Sequence, residues 1–304
     1  MPLNVDLLMD RRRLKRRLIV WRTLAVLAFV TAALIGLRGA GISTGVPHVA
    51  RLTVNGIITE DRKLLAAVRE AGKDASVKAL IVAINSPGGS VSGGESLYRA
   101  IREVAEKKPV VAVMGGLAAS AGYMIAMPAH RVFARESTVT GSIGVLMETG
   151  EISGLLAKLG VSAEAITSGP LKDQPSLIKP MTPAGREVLH GIILDMYDQF
   201  VSMVAAGRKM EPEAVRALAD GRAYTGRQAL KLGLIDAIGE EQDARTWLEK
   251  TKGLTADLPV EEVTGGGLAS RMAANELAPF FDGLWKTLIS QSVRLDGPWA
   301  VWQR

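Results

Sequence analysis

Apolar and polar positions along the chain alternate between two patterns. His48 to Ile58 (HVARLTVNGII) has the period-two alternation of a half-buried strand. Asp61 to Asp74 (DRKLLAAVREAGKD) has the spacing of a helix. Val77 to Asn85 (VKALIVAIN) is a nearly continuous apolar run, as in a buried strand. Ser92 to Lys107 returns to helical spacing, and Pro109 to Met114 (PVVAVM) gives a second buried strand. Tyr123, Met124, Ile125 and Met127 then continue as a helix, and Arg131 to Ala134 (RVFA) as a short strand. Gly154 to Gly160 predicts a short helix ahead of a strand over Ser162 to Ser168 (SAEAITS). Thr182 to Ala219 predicts two helices broken near Pro212, and residues 221–239 and 242–250 continue in the same style. Strand followed by helix, repeated in this way, defines an α/β fold with a mostly parallel sheet.

Two segments fall outside that pattern. Leu18 to Leu37 (LIVWRTLAVLAFVTAALIGL) is apolar except for Arg22 and two threonines. At about 20 residues it is long enough to span a bilayer as one helix. Basic residues cluster only on its N-terminal side, which predicts a single-pass protein with a cytoplasmic N-terminus and an extracytoplasmic body. A cleaved signal peptide is the competing reading, since Gly39, Ala40 and Gly41 follow the run. The length of the run and the lack of a clean A-x-A site favour an uncleaved anchor. Near the other end, Leu277, Phe280, Phe281, Leu284, Trp285, Leu288 and Ile289 form one apolar helical stripe. Pro279 fits only in its first turn, and Gly283 weakens it. Residues 1–40 are thus expected to form a basic arm and a transmembrane anchor, and 41–252 the folded domain. Residues 253–304 are expected to form a tail with an amphipathic helix, packed on the domain, on another subunit or on the membrane.

Charge and composition narrow the function. The net charge of +6 suggests nucleic acid until it is located. Residues 1–22 carry seven basic and two acidic side chains, so the folded body is close to neutral and nucleic acid is discounted. The chain has no cysteine, which excludes disulfides and thiolate metal sites. Its three histidines, His48, His130 and His190, are far apart and not in ligand spacing.

The candidate chemistry centres on Gly115 to Ala129 (GGLAASAGYMIAMPA). Ser120 lies among small residues between a buried strand and a helical pattern. A serine there can sit on a tight turn with its hydroxyl exposed and helix amides behind it. It can equally be an ordinary helix N-cap. Three further segments can converge on it. Ile84 to Glu95 (INSPGGSVSGGE) brings Gly88 and Gly89 to a strand end, where glycine amides can bind an oxyanion. It lacks the P-loop lysine and the full G-x-G-x-x-G spacing, so nucleotide binding is not indicated. Thr167 to Ser176 (TSGPLKDQPS) carries Lys172, which can act as a general base only if buried among apolar groups. Ser137 to Val145 (STVTGSIGV) carries Ser142, which can hold a lysine amine by a hydrogen bond or be a turn serine.

Taken in order, INSPGG, AASAGYMIA, TGSIGV, SGPLKD and GRAYTGRQALKLGLID resemble the signal peptide peptidase A family over about residues 48–250. Its members are membrane-anchored serine proteases with the ClpP/crotonase fold, a spiral of β–α repeats. The resemblance implies that Ser120 is the nucleophile, Lys172 the general base, Gly88 and Gly89 the oxyanion hole, and Ser142 a support for the lysine. Ala121 stands where the family usually has a second glycine after the nucleophile. The resemblance further implies remnant signal peptides and other membrane-derived peptides as substrates. It implies a homo-oligomeric ring in which Ser120 of one protomer meets Lys172 of its neighbour.

A Ser–Lys dyad requires no metal or cofactor. No histidine is marked as the base that a Ser-His-Asp triad needs, and His130 lies just before a strand. Two alternatives stand beside the peptidase. One is a crotonase-type acyl-CoA enzyme or binding protein, which shares the fold and the glycine oxyanion hole. The other is a catalytically inactive membrane scaffold.

Overall fold

The computed structural model describes residues 45–255 and 257–264, together with Leu18, 21–26 and Phe29. The described part of the N-terminal run is helical and exposed, with Trp21 71% and Phe29 76% accessible. Among the described residues no helix is long and apolar enough to cross a membrane. The expected transmembrane helix is therefore not found there, and the rest of Leu18 to Leu37 lies outside the described residues. So does the stripe from Leu277 to Ile289.

The body begins with three long strands joined by two helices. β1 (His48–Ile58), β2 (Val77–Gly89) and β3 (Val110–Ala119) are linked through α1 (Arg62–Lys73) and α2 (Val91–Ala105). Asp61 starts α1 by accepting the amides of Lys63 and Leu64, and Ser90 starts α2 by accepting that of Gly93. After β3 come α3 (Ala121–Met124), β4 (Arg131–Ala134), β5 (Val139–Gly141) and α4 (Ser153–Lys158). The 26-residue α5 (Pro183–Arg208) and the short α6 (Pro212–Arg216) follow. β6 (Ala223–Thr225), α7 (Gly226–Lys231), β7 (Ala237–Ile238), α8 (Glu241–Lys252) and β8 (Val260–Glu262) complete the body.

One sheet runs in the order β6-β5-β3-β2-β1-β8, with β4 beside β3 and β7 beside β4. Every pairing is parallel except β5 with β6. β3 changes partner along its length: Val111 to Met114 pair with β4, and Leu117 to Ala119 pair with β5. The exchange falls at Gly115 and Gly116. Strand alternation sends Leu52, Leu80, Val82, Val110 and Ala112 to one face, under α1, α2 and the end of α5. Val49, Ala79, Ile81, Val111 and Phe133 go to the other, under α8. Each such burial of a valine, leucine, isoleucine or phenylalanine is worth about 1.5–3 kcal/mol.

Most elements fall where the hydrophobic pattern places them, and the exceptions are informative. β2 and β3 run past their apolar stretches, to Gly89 and Ala119, so strand structure reaches the candidate site itself. The pattern does not mark β8, which joins β1 at Val49 to Arg51 and carries the sheet beyond residue 252. The strand expected over Ser162 to Ser168 is absent: the segment pairs with nothing and is exposed throughout, Ile166 being 96% accessible. A strand needs a partner edge, and the described residues offer none here. The neighbouring surface is apolar as well. Leu146, Leu155, Leu159, Leu177 and Ile192 are all exposed, and the first half of α5 has little cover.

His130 closes the lower end of β3. Its Nδ1 accepts the amide of Val110 at 3.1 Å. Partial burial, helped by the charge of Lys252, holds the imidazole below its ordinary pKa. The unfolded chain therefore binds a proton that the folded chain resists. The stabilisation is complete above the unfolded value of about 6.5 and is lost as pH falls through that value to the folded one. Denaturation midpoints measured from pH 8 to pH 5 should decline more in wild type than in His130→Gln.

Candidate active site

β3 delivers Ser120 to a junction with unusual backbone geometry. Ser120 has φ 54° and ψ −124°, outside the extended region typical of an N-cap, and its side chain makes no capping bond. The N-cap role open to it in the sequence is therefore not the one it performs. Its backbone is fully engaged: the amide donates to Gly141 O at 2.9 Å, and the carbonyl accepts from Tyr123 and Met124 at 2.9 Å each. A positive φ at a non-glycine residue costs on the order of 1–3 kcal/mol. Among the described residues only Ser120, Ser142 and Lys209 have one, and two of these three are the candidate serines.

Gly88 lies directly against the nucleophile turn. Its φ is +111°, and a Cβ there would stand 2.7 Å from Ser120 Cβ and 3.1 Å from the Ala121 amide. Gly89 is as tightly placed against β1, where a Cβ would be 2.0 Å from Ile58 O. Ser90 donates to that same Ile58 O, and Ile58 is the ladder partner of Gly89. Ladder alternation then turns the N–H of Gly89 away from β1, to the side of β3 and Ser120. The amide of Gly88 is already taken, donating to Ser86 Oγ at 3.0 Å. Ala121 opens α3, where an amide has no partner within the helix. Of the two glycines expected to form an oxyanion hole, Gly88 thus has its amide engaged, and the Gly89 and Ala121 amides are the remaining candidates at this turn.

Ser142 follows Gly141, whose carbonyl holds Ser120, and its own amide donates to Arg222 O at 3.0 Å. The structure thus brings Ser120, Ser142, Gly88 and Gly89 to one place at the ends of β2, β3 and β5. Lys172 is placed differently. It is exposed on a turn, its amide donating to Gly169 O, and Leu171 and Leu177 beside it are exposed too. Among the described contacts none joins it to Ser120, and the described residues do not supply the burial that a base requires.

Neither His130 nor His48 takes its place at Ser120. His130 lies beside Val110, at the start of β3, and Ser120 follows the last residue of that strand. Ten strand residues separate the two ends by roughly 33 Å. His48 opens β1, at the same far end of the sheet.

The helix after Ser120 is anchored from below by a network whose contacts no spacing in the sequence announces. Tyr123 is fully buried, and its hydroxyl donates to Leu234 O at 2.7 Å. Burial pushes that hydroxyl well above its ordinary pKa, so it stays a donor. Arg208 grips the same loop, donating from Nε to Gly233 O and from both Nη atoms to Asp236. Burial alone would raise the Asp236 carboxyl; Arg208 outweighs it and holds the group below the usual carboxylate range. Tyr123→Phe strands the buried carbonyl of Leu234 and should cost about 1–3 kcal/mol in urea unfolding.

With this geometry in hand, similarity to known proteins becomes specific. The model of peptidase family S49 matches residues 102–255, which include Ser120, Ser142 and Lys172. A Synechocystis protein named as a candidate protease is 42% identical over 210 residues, covering 69% of this chain and 76% of that protein. An Enterococcus faecium protein named as a candidate signal peptide peptidase SppA is 34% identical, covering 76% of this chain and 71% of its own. Protease 4 of Salmonella typhi is 38% identical over 178 residues, 58% of this chain and 29% of that longer protein. The chain belongs to peptidase family S49 and is a serine peptidase of the signal peptide peptidase A group. A peptidase, not an acyl-CoA enzyme or an inactive scaffold, is what these similarities support.

Proposed function

We propose that the protein is a membrane-anchored endopeptidase using a Ser120–Lys172 dyad, and that it degrades remnant signal peptides and other membrane-derived peptides. The observation that carries this reading is Ser120 itself, a strained serine with an uncapped hydroxyl pressed against Gly88. Neutral Lys172 takes the Ser120 proton as Oγ attacks a peptide carbonyl. The oxyanion is received by the Gly89 amide beside Gly88, with the Ala121 amide as second donor. Protonated Lys172 then gives its proton to the leaving amine, and water hydrolyses the acyl-enzyme. Ser142 steadies the lysine amine.

Lys172 reaches Ser120 from a neighbouring protomer in this reading. Its exposure supports that, as do the bare apolar residues around it and the unpaired segment over Ser162 to Ser168. Docking a second copy there would bury the lysine. The experiment for the nucleophile is labelling with a fluorophosphonate, expected on wild type and absent on Ser120→Ala.

The membrane part rests on the charge asymmetry around Leu18 to Leu37. An alkaline phosphatase fused to the C-terminus should be active. Activity from a reporter that works only in the cytoplasm would reverse this topology.

A further inference from the structure

Ser86 lies on β2 two residues before Gly88 and is completely buried. Its Oγ accepts the amide of Gly88 at 3.0 Å and donates to Gly88 O at 3.3 Å. One hydroxyl therefore clasps both polar groups of a glycine whose φ of +111° is open to little else than glycine. The Gly88 carbonyl and the Gly89 N–H belong to the same peptide plane. Fixing one end of that plane fixes the direction of the other. Ser86 also touches the nucleophile's side of the cleft, since a Cβ on Gly122 would stand 2.9 Å from Ser86 O.

We propose that Ser86 is a positioning residue for the peptidase reaction: its buried hydroxyl sets the Gly88–Gly89 peptide so that the Gly89 N–H meets the oxyanion formed at Ser120. The inference rests on the function proposed above. Ser86 touches no reacting atom and acts through the peptide it holds. An oxyanion donor is effective because it is oriented before the charge develops, and a glycine turn has the freedom to lose that orientation. The bond to Gly88 O also polarises the peptide and strengthens its N–H as a donor. Both effects act on the tetrahedral adduct and hardly at all on bound substrate.

The test uses the full-length assembled protein and a peptide substrate with its matching peptide boronate, which forms a tetrahedral adduct on an active serine. Ser86→Ala should lower kcat roughly tenfold or more while KM stays within about twofold. Boronate affinity should fall by the same factor as kcat/KM. Ser86→Cys, nearly the same size but a weaker hydrogen-bonding group, should lie between wild type and alanine and carries the test if alanine does not fold. A folded Ser86→Ala enzyme with wild-type kcat and boronate affinity, merely easier to unfold, would overturn the proposal and leave Ser86 a packing residue. Fluorophosphonate labelling keeps the two levels apart. Wild type that is not labelled at Ser120 would sink the underlying reading, whereas labelled wild type with an unaffected Ser86→Ala sinks only the clasp.

Discussion

Ser120→Ala is expected to reduce peptide turnover by roughly 10⁴- to 10⁶-fold, the range found when a covalent nucleophile is removed. Lys172→Ala should fall as far, because without a base the Ser120 hydroxyl is a poor nucleophile at neutral pH. Lys172→Arg should not rescue it, since a guanidinium stays protonated and cannot accept the proton. Neither change should disturb the fold of the protomer. Ser120 uses its backbone, not its side chain, in the hydrogen bonds that hold the turn, and Lys172 is exposed. Circular dichroism and assembly mass should therefore match wild type while initial rates do not. Near-normal turnover by Lys172→Ala would remove the dyad.

Much of the sheet and of the serine's surroundings is legible in the amino-acid sequence. The apolar runs in β1, β2 and β3 are long and buried, so their pattern has one solution. Ser120, Gly88 and Gly89 lie at the ends of such strands and Ser142 just after the three-residue β5, where short motifs mark them. Other features depend on long-range contacts that periodicity does not encode. Nothing around Ser86 distinguishes a clasp from a turn serine. Tyr123, Leu234 and Arg208 are brought together from three distant parts of the chain. β8 is only three residues long and owes its place to β1 rather than to its own sequence. The failed strand over Ser162 to Ser168 has the opposite cause. Its residues have strand character, but the described residues hold no edge for them.

Mixing the two inactive variants should restore activity. If Lys172 serves the Ser120 of a neighbour, an assembly formed from equal amounts of Ser120→Ala and Lys172→Ala subunits contains some intact pairs. Each site needs the serine of the Lys172→Ala subunit and the lysine of the Ser120→Ala subunit, in that order around a head-to-tail ring. Random assembly provides this at about one interface in four. Turnover should therefore recover to roughly a quarter of wild type per site. If both residues act within one chain, every site lacks one of them. Mixed assemblies shown by native mass spectrometry to contain both subunits would then stay inactive, and the shared site would be abandoned.

α5 carries a consequence for how the protein tolerates change over generations. Its C-terminal half buries Phe200, Val201 and Val204 in the core, and Gly207 sits so close to Met127 that a Cβ would be 2.6 Å from Met127 O. Its N-terminal half leaves Val188, Ile192 and Leu194 exposed. A single continuous helix thus answers to two different selective constraints. Replacements after Tyr197 are judged by the protomer's own folding, and would be purged wherever the chain is made. Replacements at exposed positions before it, such as Val188, Ile192 and Leu194, leave the protomer's own core untouched. If a neighbouring subunit docks on the first half, as proposed above, that contact can change without disturbing the core that the second half builds.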